Sequence, residues 1–266
     1  SCLHFCRNHL GCHFQFTLFI IMEPVISIRN LTAQYGDLTV LDNINADIYP
    51  GEITVILGGS GCGKTTLIKN ILRLVEPVAG SVKFWGEEVL DLDDIQMANI
   101  LRKIGMLFQS GALLNSLSIY ENISIPLELH TKLPRSLIDR IIKVKLNLVN
   151  LSEALYKFPS ELSGGMKKRA ALARAMALDP QILFCDEPSA GLDPLTSASL
   201  DELILSLKKQ LKMTIVVVTH ELASIHRIAD KIIFLEQGKM LFNGTLAEAQ
   251  KAGIPQIDTF FEVGRF

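Results

Sequence analysis

The sequence predicts an α/β protein with three parts: a parallel-sheet core, a small antiparallel β subdomain and an inserted helical subdomain. Short β-rich segments alternate with helical segments over much of the chain, which is typical of a parallel sheet covered by helices. A turn-rich stretch carries the strand-like run 81–85, which we expect to pair antiparallel with strands in 25–49. Residues 110–160 lack strand runs and are predicted to be helical.

The individual elements follow from runs of β-branched and apolar residues and from the breaks between those runs. Strand 53–57 leads directly into a glycine-rich loop, and Pro126, Pro134 and Pro159 are expected to break the helices of 110–160. The other predicted elements are helix 66–74, helix 93–103, strand 104–108, helix 164–178, strand 181–185, helix 196–211, strand 214–219 and a hairpin of strands 232–235 and 239–242. In a parallel sheet, the site is expected at the carboxyl ends of the strands.

The composition indicates a globular chain with a sizeable core. Apolar residues make up 48% of the 266 residues, and the formal net charge is −2. Because nucleic-acid binding favours a basic stripe, this balance of charge predicts no nucleic-acid partner. No apolar run reaches the roughly 20 residues needed to cross a bilayer.

The first 21 residues differ from the rest of the chain. They hold three of the five cysteines and three of the six histidines, and a strand-like run follows Met22. Their spacing lacks the paired C-x-x-C pattern of structural zinc sites, so a zinc cluster is the weaker alternative. We expect residues 1–21 to be disordered, and either to lie upstream of a true start at Met22 or to be non-native. Residues 22–266 are expected to form one domain.

Residues 58–65, with the sequence GGSGCGKT, match the phosphate-binding loop G-x-x-x-x-G-K-[ST]. A strand precedes this loop and a helix follows it, which is the context that the motif requires. Lys64 can reach the β- and γ-phosphates of a nucleotide, and the Thr65 hydroxyl can ligate Mg²⁺. An ordinary glycine turn is the weaker alternative. The predicted nucleotide-binding residues here are Gly58, Gly59, Ser60, Gly61, Cys62, Gly63, Lys64, Thr65 and Thr66.

The run 182–188, ILFCDEP, ends a predicted buried strand with two acidic residues. A carboxylate at such a position is costly without a partner, and Mg²⁺ beside Thr65 would be the partner of Asp186. Glu187 follows it and is placed to act as the general base that polarises the attacking water. The alternative for Glu187 is a helix-capping acid.

A third motif, LSGGMKK at 162–168, predicts an exposed helix terminus. Ser163 would cap the helix that starts at Gly164, and the free N–H groups of such a terminus bind anions. The phosphate loop already has its own helix, so Ser163, Gly164 and Gly165 would bind the ATP of another subunit. The basic residues 167–169 are interpreted as a solvated face.

Together these motifs resemble those of the ABC transporter ATPases over residues 23–250, a family with a P-loop NTPase (RecA-like) core. The resemblance implies ATP and Mg²⁺ as cofactors, a head-to-tail ATP-sandwich dimer and a helical subdomain at about 110–165. It implies that Tyr35 stacks on adenine, although a core tyrosine is an alternative. It also implies that Gln109 contacts Mg²⁺ and the water, that Asp193 lies at the dimer interface, and that His220 lies near the γ-phosphate.

The segment 108–134 and the Met166 of LSGGM resemble the Mla (MlaF-like) ATPases within that family. This resemblance implies phospholipid transport between the inner and outer membranes of Gram-negative bacteria. The implied partners are an integral-membrane permease, an MCE-domain lipid-binding protein and a STAS-domain protein, at the cytoplasmic face of the inner membrane. Leu113, Leu114 and Ile119 are expected to pack against the permease, with packing in the subdomain's own core as the alternative.

Two other functions stay open at this stage. The first is the ATPase of a small-solute importer, for which we would expect LSGGQ and a generic segment after Gln109. The second is a soluble ABC protein of repair or translation. Proteins of that class usually carry two ATPase units or long coiled-coil insertions, and the sequence shows neither a second phosphate loop nor a heptad run.

Overall fold

The structure is a computed structural model that describes residues 22–263, so the prediction for residues 1–21 lies outside the described residues. The strands are β1 (Ile26–Tyr35), β2 (Leu38–Ile48), β3 (Ile53–Gly58), β4 (Ala79–Phe84), β5 (Glu87–Glu88), β6 (Ile104–Leu107), β7 (Ile182–Asp186), β8 (Thr214–Val218), β9 (Lys231–Glu236) and β10 (Lys239–Thr245). The helices are α1 (Lys64–Ile71), α2 (Asp94–Leu101), α3 (Ile119–His130), α4 (Arg135–Leu148), α5 (Gly164–Ala175), α6 (Pro194–Leu211), α7 (Leu222–Ile228), α8 (Leu246–Ala249) and α9 (Pro255–Val263).

Within the described residues, the central sheet has the strand order β10-β9-β3-β8-β7-β6. Its strands β6, β7, β8, β3 and β9 are parallel, and β10 returns antiparallel along β9. Strands β3 and β8 are buried over their whole length. Such continuous apolar runs are typical of a parallel sheet that is covered on both faces. The predicted parallel core is therefore confirmed.

The second sheet is antiparallel and has the order β2-β1-β4-β5. Strand β4 pairs with β1, with Ile26 opposite Phe84, which confirms the predicted pairing of 81–85 with the N-terminal strands. One face of the central sheet, with Ile56 and Phe184, belongs to the same apolar cluster as this second sheet. Side chains alternate between the faces of a strand, and residues such as Val55 therefore belong to the cluster that contains α5 and α6.

The segment between β6 and β7 is helical, as predicted, but Pro126 does not break it. Helix α3 runs through Pro126, whereas α4 starts directly after Pro134. A proline inside a helix costs about 3 kcal/mol. The α3 side chains Ile119, Ile123 and Leu127 are buried, and each contributes about 1.5–3 kcal/mol, which outweighs that cost. Helix α3 also begins with a capping box between Ser118 and Glu121.

The parallel strands converge at one edge of the central sheet, where their carboxyl ends meet. Asp186, at the end of β7, pairs in register with Val218 at the end of β8, and Val218 pairs with Ile56 of β3. The phosphate loop, Glu187 and the segment after Val218 therefore leave the sheet side by side. Among residues 22–263 no helix has the length and apolar character needed to span a membrane.

Candidate nucleotide site

The loop between β3 and α1 has a backbone that only glycine fits at its first position. Gly58 has φ +146°, and a Cβ added there would lie 2.0 Å from the carbonyl oxygen of Leu235. Gly63, at φ +104°, precedes the first residue of α1. The Nζ of Lys64 donates to the carbonyls of Gly58 at 2.8 Å and Gly59 at 2.9 Å. The ammonium is thereby held over the loop.

Gly59 has a different reason to be glycine. Its φ is not positive, and the nearest atom to an added Cβ would be the Glu236 Oε2 at 3.9 Å, so the fold itself would accept a side chain here. Gly59 instead lines a cavity, and the lack of a side chain lets a ligand approach its backbone. The loop therefore fits the phosphate group that its sequence predicts.

This cavity has a volume of about 800 Å³ and contains most of the predicted chemistry. It brings together the ends of β3, β6, β7 and β8, and its predicted members are Gly58, Gly59, Ser60, Gly61, Lys64, Thr65, Gln109, Asp186, Glu187 and His220. Sequence reasoning missed the apolar side of the cavity, which comes from Leu222, Phe234 and the helix α9 residue Phe260. The rings of Phe234 and Phe260 meet edge to face, with centroids 5.5 Å apart.

Asp186 and Glu187 occupy the predicted place at the end of β7. Burial raises the pKa of Asp186, the charge of Glu187 adds to this effect, and the lysines Lys168, Lys64 and Lys69 oppose it. A carboxylate whose charge is costly in this way gains from a cation beside it. The described residues hold no cluster of three or more His, Cys, Asp and Glu side chains that fits a metal. A single carboxylate completed by hydroxyl, phosphate and water oxygens is compatible with Mg²⁺.

Glu187 is held by its neighbours in an unusual backbone conformation. It has φ +45°, its N–H donates to the Val218 carbonyl at 2.8 Å, and its Oε1 lies 2.8 Å from the Nδ1 of His220. In the described part of the chain no helix begins at Glu187, since α6 starts only at Pro194. The helix-capping alternative is therefore wrong, and the carboxylate faces the cavity beside His220.

Lys168 departs from the interpretation of 167–169 as a solvated face. Its side chain is buried, and its Nζ donates to the carbonyl oxygens of Gln109 at 2.5 Å and Glu187 at 3.2 Å. Burial lowers the pKa of Lys168, while the charges of Asp186, Cys185 and Glu187 oppose that shift. Helical periodicity could have revealed the burial of Lys168, because residues i and i+4 share a face and Leu172 is buried. Lys167 is exposed, as expected.

Glu221, which follows His220 in the chain, is the centre of a second polar cluster that sequence reasoning missed. Its carboxylate accepts hydrogen bonds from the hydroxyls of Ser189, Ser197 and Ser224. Ser224 also donates to Asp201, a buried carboxylate that is paired with Arg227. This cluster ties the segment after Glu187 to the segment after β8. The acidic residue next to His220 is the one sequence signal that could have indicated it.

The LSGGM motif at 162–166 lies apart from this cavity. Ser163 caps α5 as predicted, with its Oγ accepting from the Met166 N–H. Gly165 packs closely on α6, because an added Cβ would lie 2.4 Å from the Cγ2 of Thr196. Asp193 caps α6, and the hydrogen bonds from the Thr196 hydroxyl and N–H lower the pKa of Asp193. Among the described residues, the cavity lining does not include Ser163, Gly164, Gly165 or Asp193.

Three other predicted binding residues also lie outside the lining that the described chain gives this cavity. Tyr35 ends β1 and is 48% exposed, so the core-tyrosine alternative is wrong. Cys62 is buried beneath the loop in the same apolar cluster as Leu67, and burial raises the pKa of its thiol. Thr66 lies in the first turn of α1.

The site is that of a P-loop ATPase cassette: a phosphate loop between strand and helix, two acids at the end of a second strand of the same sheet, and a separate capped helix terminus. The family model described as ABC transporter matches residues 41–190. The chain therefore belongs to the ABC transporter ATPases, and it is an ATP-binding and ATP-hydrolysing subunit.

Relatives within the family have different transport functions. The chain is 41% identical over 223 residues, 84% of each chain, to "Intermembrane phospholipid transport system ATP-binding protein MlaF" of Haemophilus influenzae. It is 39% identical to "Probable ribonucleotide transport ATP-binding protein mkl" of Mycobacterium leprae, over 84% of this chain and 64% of that protein. It is 39% identical to "Methionine import ATP-binding protein MetN" of Haemophilus influenzae, over 84% of this chain and 66% of that protein. The match thus spans about two thirds of the latter two relatives.

Solved structures agree with the α/β fold and with the cassette. One is described as the structure of cbiO1 from Clostridium perfringens, part of the ABC transporter complex cbiONQ. It has a TM-score of 0.78 and 27% identity, over 90% of this chain and 99% of that chain. Another is the dimeric structure of MJ0796, a bacterial ABC transporter cassette, with a TM-score of 0.76 and 32% identity over 83% and 98%. A post-hydrolysis dimer of MJ0796 is described as bound to ADP and Pi.

Proposed function

We propose that this chain energises phospholipid transport between the inner and outer membranes of a Gram-negative bacterium. It would act as a head-to-tail dimer on an integral-membrane permease, at the cytoplasmic face of the inner membrane, with an MCE-domain and a STAS-domain protein as further partners. The observation that carries the lipid assignment is the segment 108–134, which resembles the Mla ATPases in sequence. The 41% identity to the MlaF relative supports it.

The same segment forms one wall of an apolar groove suited to a permease. The groove has a volume of about 550 Å³ and lies between the helical segment and the central sheet. Phe108, Leu114 and Leu129 line it and are exposed. A few apolar anchors of this kind carry most of the energy at protein interfaces.

Of the three residues expected at the permease, Leu114 lines the groove, and Leu113 and Ile119 do not belong to its lining within the described residues. Ile119 is fully buried in the core of the helical segment, and Leu113 packs against that core. The expectation is therefore wrong for Ile119, because the first turn of α3 points its apolar face inward. Leu129 and Phe108 take the place of these residues at the groove.

The proposed roles in ATP hydrolysis follow the geometry of the cavity. Lys64 and the loop N–H groups would bind the phosphates, and Tyr35 is exposed for stacking on adenine. Thr65, Gln109 and Asp186 would hold Mg²⁺, which would neutralise phosphate charge. Glu187 would accept the proton of the attacking water, with His220 orienting its carboxylate through the 2.8 Å contact. Ser163, Gly164, Gly165 and Asp193 would serve the site of the second subunit.

The groove gives the test of the lipid assignment. Leu129, 73% exposed, lines the groove, whereas Leu74, 60% exposed, lies outside it. In a Gram-negative host that depends on this protein, we expect deletion to cause sensitivity to detergents and bile salts, and Leu129→Glu to reproduce that sensitivity. Leu74→Glu is the matched control and should leave the barrier intact. Both purified variants should bind ATP as the wild type does.

The importer alternative has a specific observation in its favour, which is the 39% identity to the methionine importer subunit. An intact outer-membrane barrier after deletion, combined with loss of uptake of an amino acid, would overturn the lipid assignment. The cargo test does not bear on ATP hydrolysis by the purified protein. The ATPase activity and the transported substrate are therefore tested separately.

A further inference from the structure

A buried lysine connects helix α5 to the two residues that we assign to the attacking water. Lys168 lies in α5, five residues after the cap Ser163, and its side chain is 7% exposed. Its ammonium donates to the backbone carbonyls of Gln109 and Glu187, which follow β6 and β7. We propose that Lys168 is a positioning residue, which holds the peptide groups of Gln109 and Glu187 in a fixed position relative to helix α5. This inference rests on the proposed roles of those two residues.

The backbone of Glu187 needs support from both sides. Its φ of +45° is one that residues with a side chain rarely adopt. The N–H of Glu187 is held by Val218, and its carbonyl is held by Lys168. These two bonds set the direction in which the carboxylate leaves the chain, toward His220. A shift of either bond would move the carboxylate relative to the water that it is proposed to activate.

The hydrogen-bond partners of the Lys168 ammonium are unusual for a buried charge. Burying an ammonium costs free energy unless it is paired, and within residues 22–263 Lys168 contacts two neutral carbonyls and forms no ion pair. Lys145 in α4 gives the contrast, since it is 4% exposed and its ammonium is paired with the carboxylate of Asp179. An apolar side chain at 168 would avoid that cost, but it would leave the two carbonyls without their donor and remove a positive charge that acts on Asp186 and Glu187. The ammonium therefore joins the two carbonyls in a way that no apolar side chain can reproduce.

The contacts of Lys168 also couple the position of helix α5 to Gln109 and Glu187. Ser163 caps helix α5 and Lys168 lies within it, so a small rotation of that helix changes the bonds of Lys168 to both carbonyls. When the exposed end of α5 meets the nucleotide of a second subunit, the helix takes a defined position. Lys168 then transmits that position to Gln109 and Glu187. Hydrolysis would in this way respond to docking of the partner's nucleotide.

The test compares Lys168→Met, Lys168→Arg and Lys145→Met in the purified full chain with ATP and Mg²⁺. Methionine fills similar space without a donor, and arginine keeps donors and charge. Because hydrogen bonds to charged groups matter strongly, we expect Lys168→Met to lower kcat by about 10- to 100-fold. ATP affinity should stay at the wild-type value, and Lys168→Arg should recover a large part of the rate. Lys145→Met should lower the melting temperature and leave kcat unchanged.

Two results would overturn the proposal: a wild-type kcat in Lys168→Met, or a fall in ATP affinity that accounts for the whole loss of rate. A second measurement asks whether Lys168 acts through Glu187. In the Glu187→Gln background, adding Lys168→Met should cause little further loss, because residues that act as one unit are not additive. A full additional loss would contradict the coupling. If Glu187→Gln alone keeps its activity, the assigned role of Glu187 fails, and the Lys168→Met and Lys168→Arg rates still decide whether the ammonium matters.

Discussion

The N-terminal ends of α1 and α5 are both suited to phosphate, but they differ in their surroundings. Among the described residues, the end of α1 lies at the cavity with the acidic residues, and the end of α5 does not. Helix α1 begins at Lys64 with no side-chain cap, and the loop before it forms one wall of a cavity shared with Asp186 and Glu187. Helix α5 begins at Gly164 under the cap of Ser163, which is exposed to solvent and belongs to no wall of that cavity. This difference supports the proposal that the N-terminal end of α5 serves the nucleotide of a second subunit. MJ0796, a related cassette, is described as dimeric.

The largest effect is expected in the cavity that the phosphate loop before α1 shares with Asp186 and Glu187. Glu187→Gln keeps the side-chain volume and removes the proposed base, so turnover should fall by about 10²–10⁴-fold. ATP binding should persist, because the phosphate loop is untouched, and the dimer should be trapped in its closed form. Steady-state hydrolysis and equilibrium binding of a fluorescent ATP analogue measure the two quantities. Hydrolysis within about threefold of the wild type would exclude the general-base role, since that loss is far below the range of such catalysts.

The next effect distinguishes the N-terminal end of α1 from that of α5, by ATP binding and by ATP hydrolysis. Lys64→Ala removes the ammonium over the loop and should weaken ATP binding itself. Ser163→Arg removes the cap of α5 and crowds its terminus, so the monomer should bind ATP normally and fail to hydrolyse it. A titration with each variant distinguishes binding from turnover. Equal loss of ATP affinity in both would mean that the two ends serve one site within the chain.

Mixed dimers sharpen the same distinction. In the Glu187→Gln background, a Lys64→Ala subunit paired with a Ser163→Arg subunit carries both lesions in one shared site and should still occlude one nucleotide. The matched control pairs a subunit that carries both lesions with an intact one, which damages each site once and should occlude none. Equal occlusion by the two mixtures would contradict shared sites.

The sequence predicted the residues of the cavity beside α1 well. The phosphate loop, the acids after β7 and the histidine after β8 are local motifs attached to strand ends. A parallel sheet brings its strand ends together, so their meeting in one cavity follows from the fold class. The cap at Ser163 was equally predictable, because a cap depends on neighbours within one helical turn.

What the sequence did not reveal depends on contacts between distant segments. Lys168 bonds to carbonyls 59 and 19 residues away, and no local pattern encodes such partners. The same holds for Phe260, whose place in the cavity wall depends on how α9 packs on β9. Pro126 shows the converse, since tertiary burial of α3 overrode a strong local signal.

The smallest effect concerns the packing of the N-terminal end of α5 against α6. A Cβ at Gly165 would lie 2.4 Å from the Thr196 Cγ2, so Gly165→Ala requires the Thr196 side chain or the two helices to shift. Such overpacking costs about 1–3 kcal/mol, which lowers the melting temperature by about 2–4 °C for each kcal/mol in a domain of this size. Alanine also favours the helix by about 1 kcal/mol, which offsets part of that cost. We therefore expect a modest loss of stability together with slower hydrolysis.

Thr196→Ser provides the decisive rescue for that last variant. It removes the obstructing Cγ2 but keeps the hydroxyl that donates to the Oδ2 of Asp193. Combined with Gly165→Ala, it should restore both the melting temperature and the hydrolysis rate. Gly164→Ala is the milder control, because its Cβ would meet Leu192 at 3.3 Å and a leucine terminus can move. If Thr196→Ser restores stability but not hydrolysis, the methyl at 165 blocks the approach of a second subunit's nucleotide. Loss of ATP affinity in Gly165→Ala would instead connect this end to the cavity of its own chain.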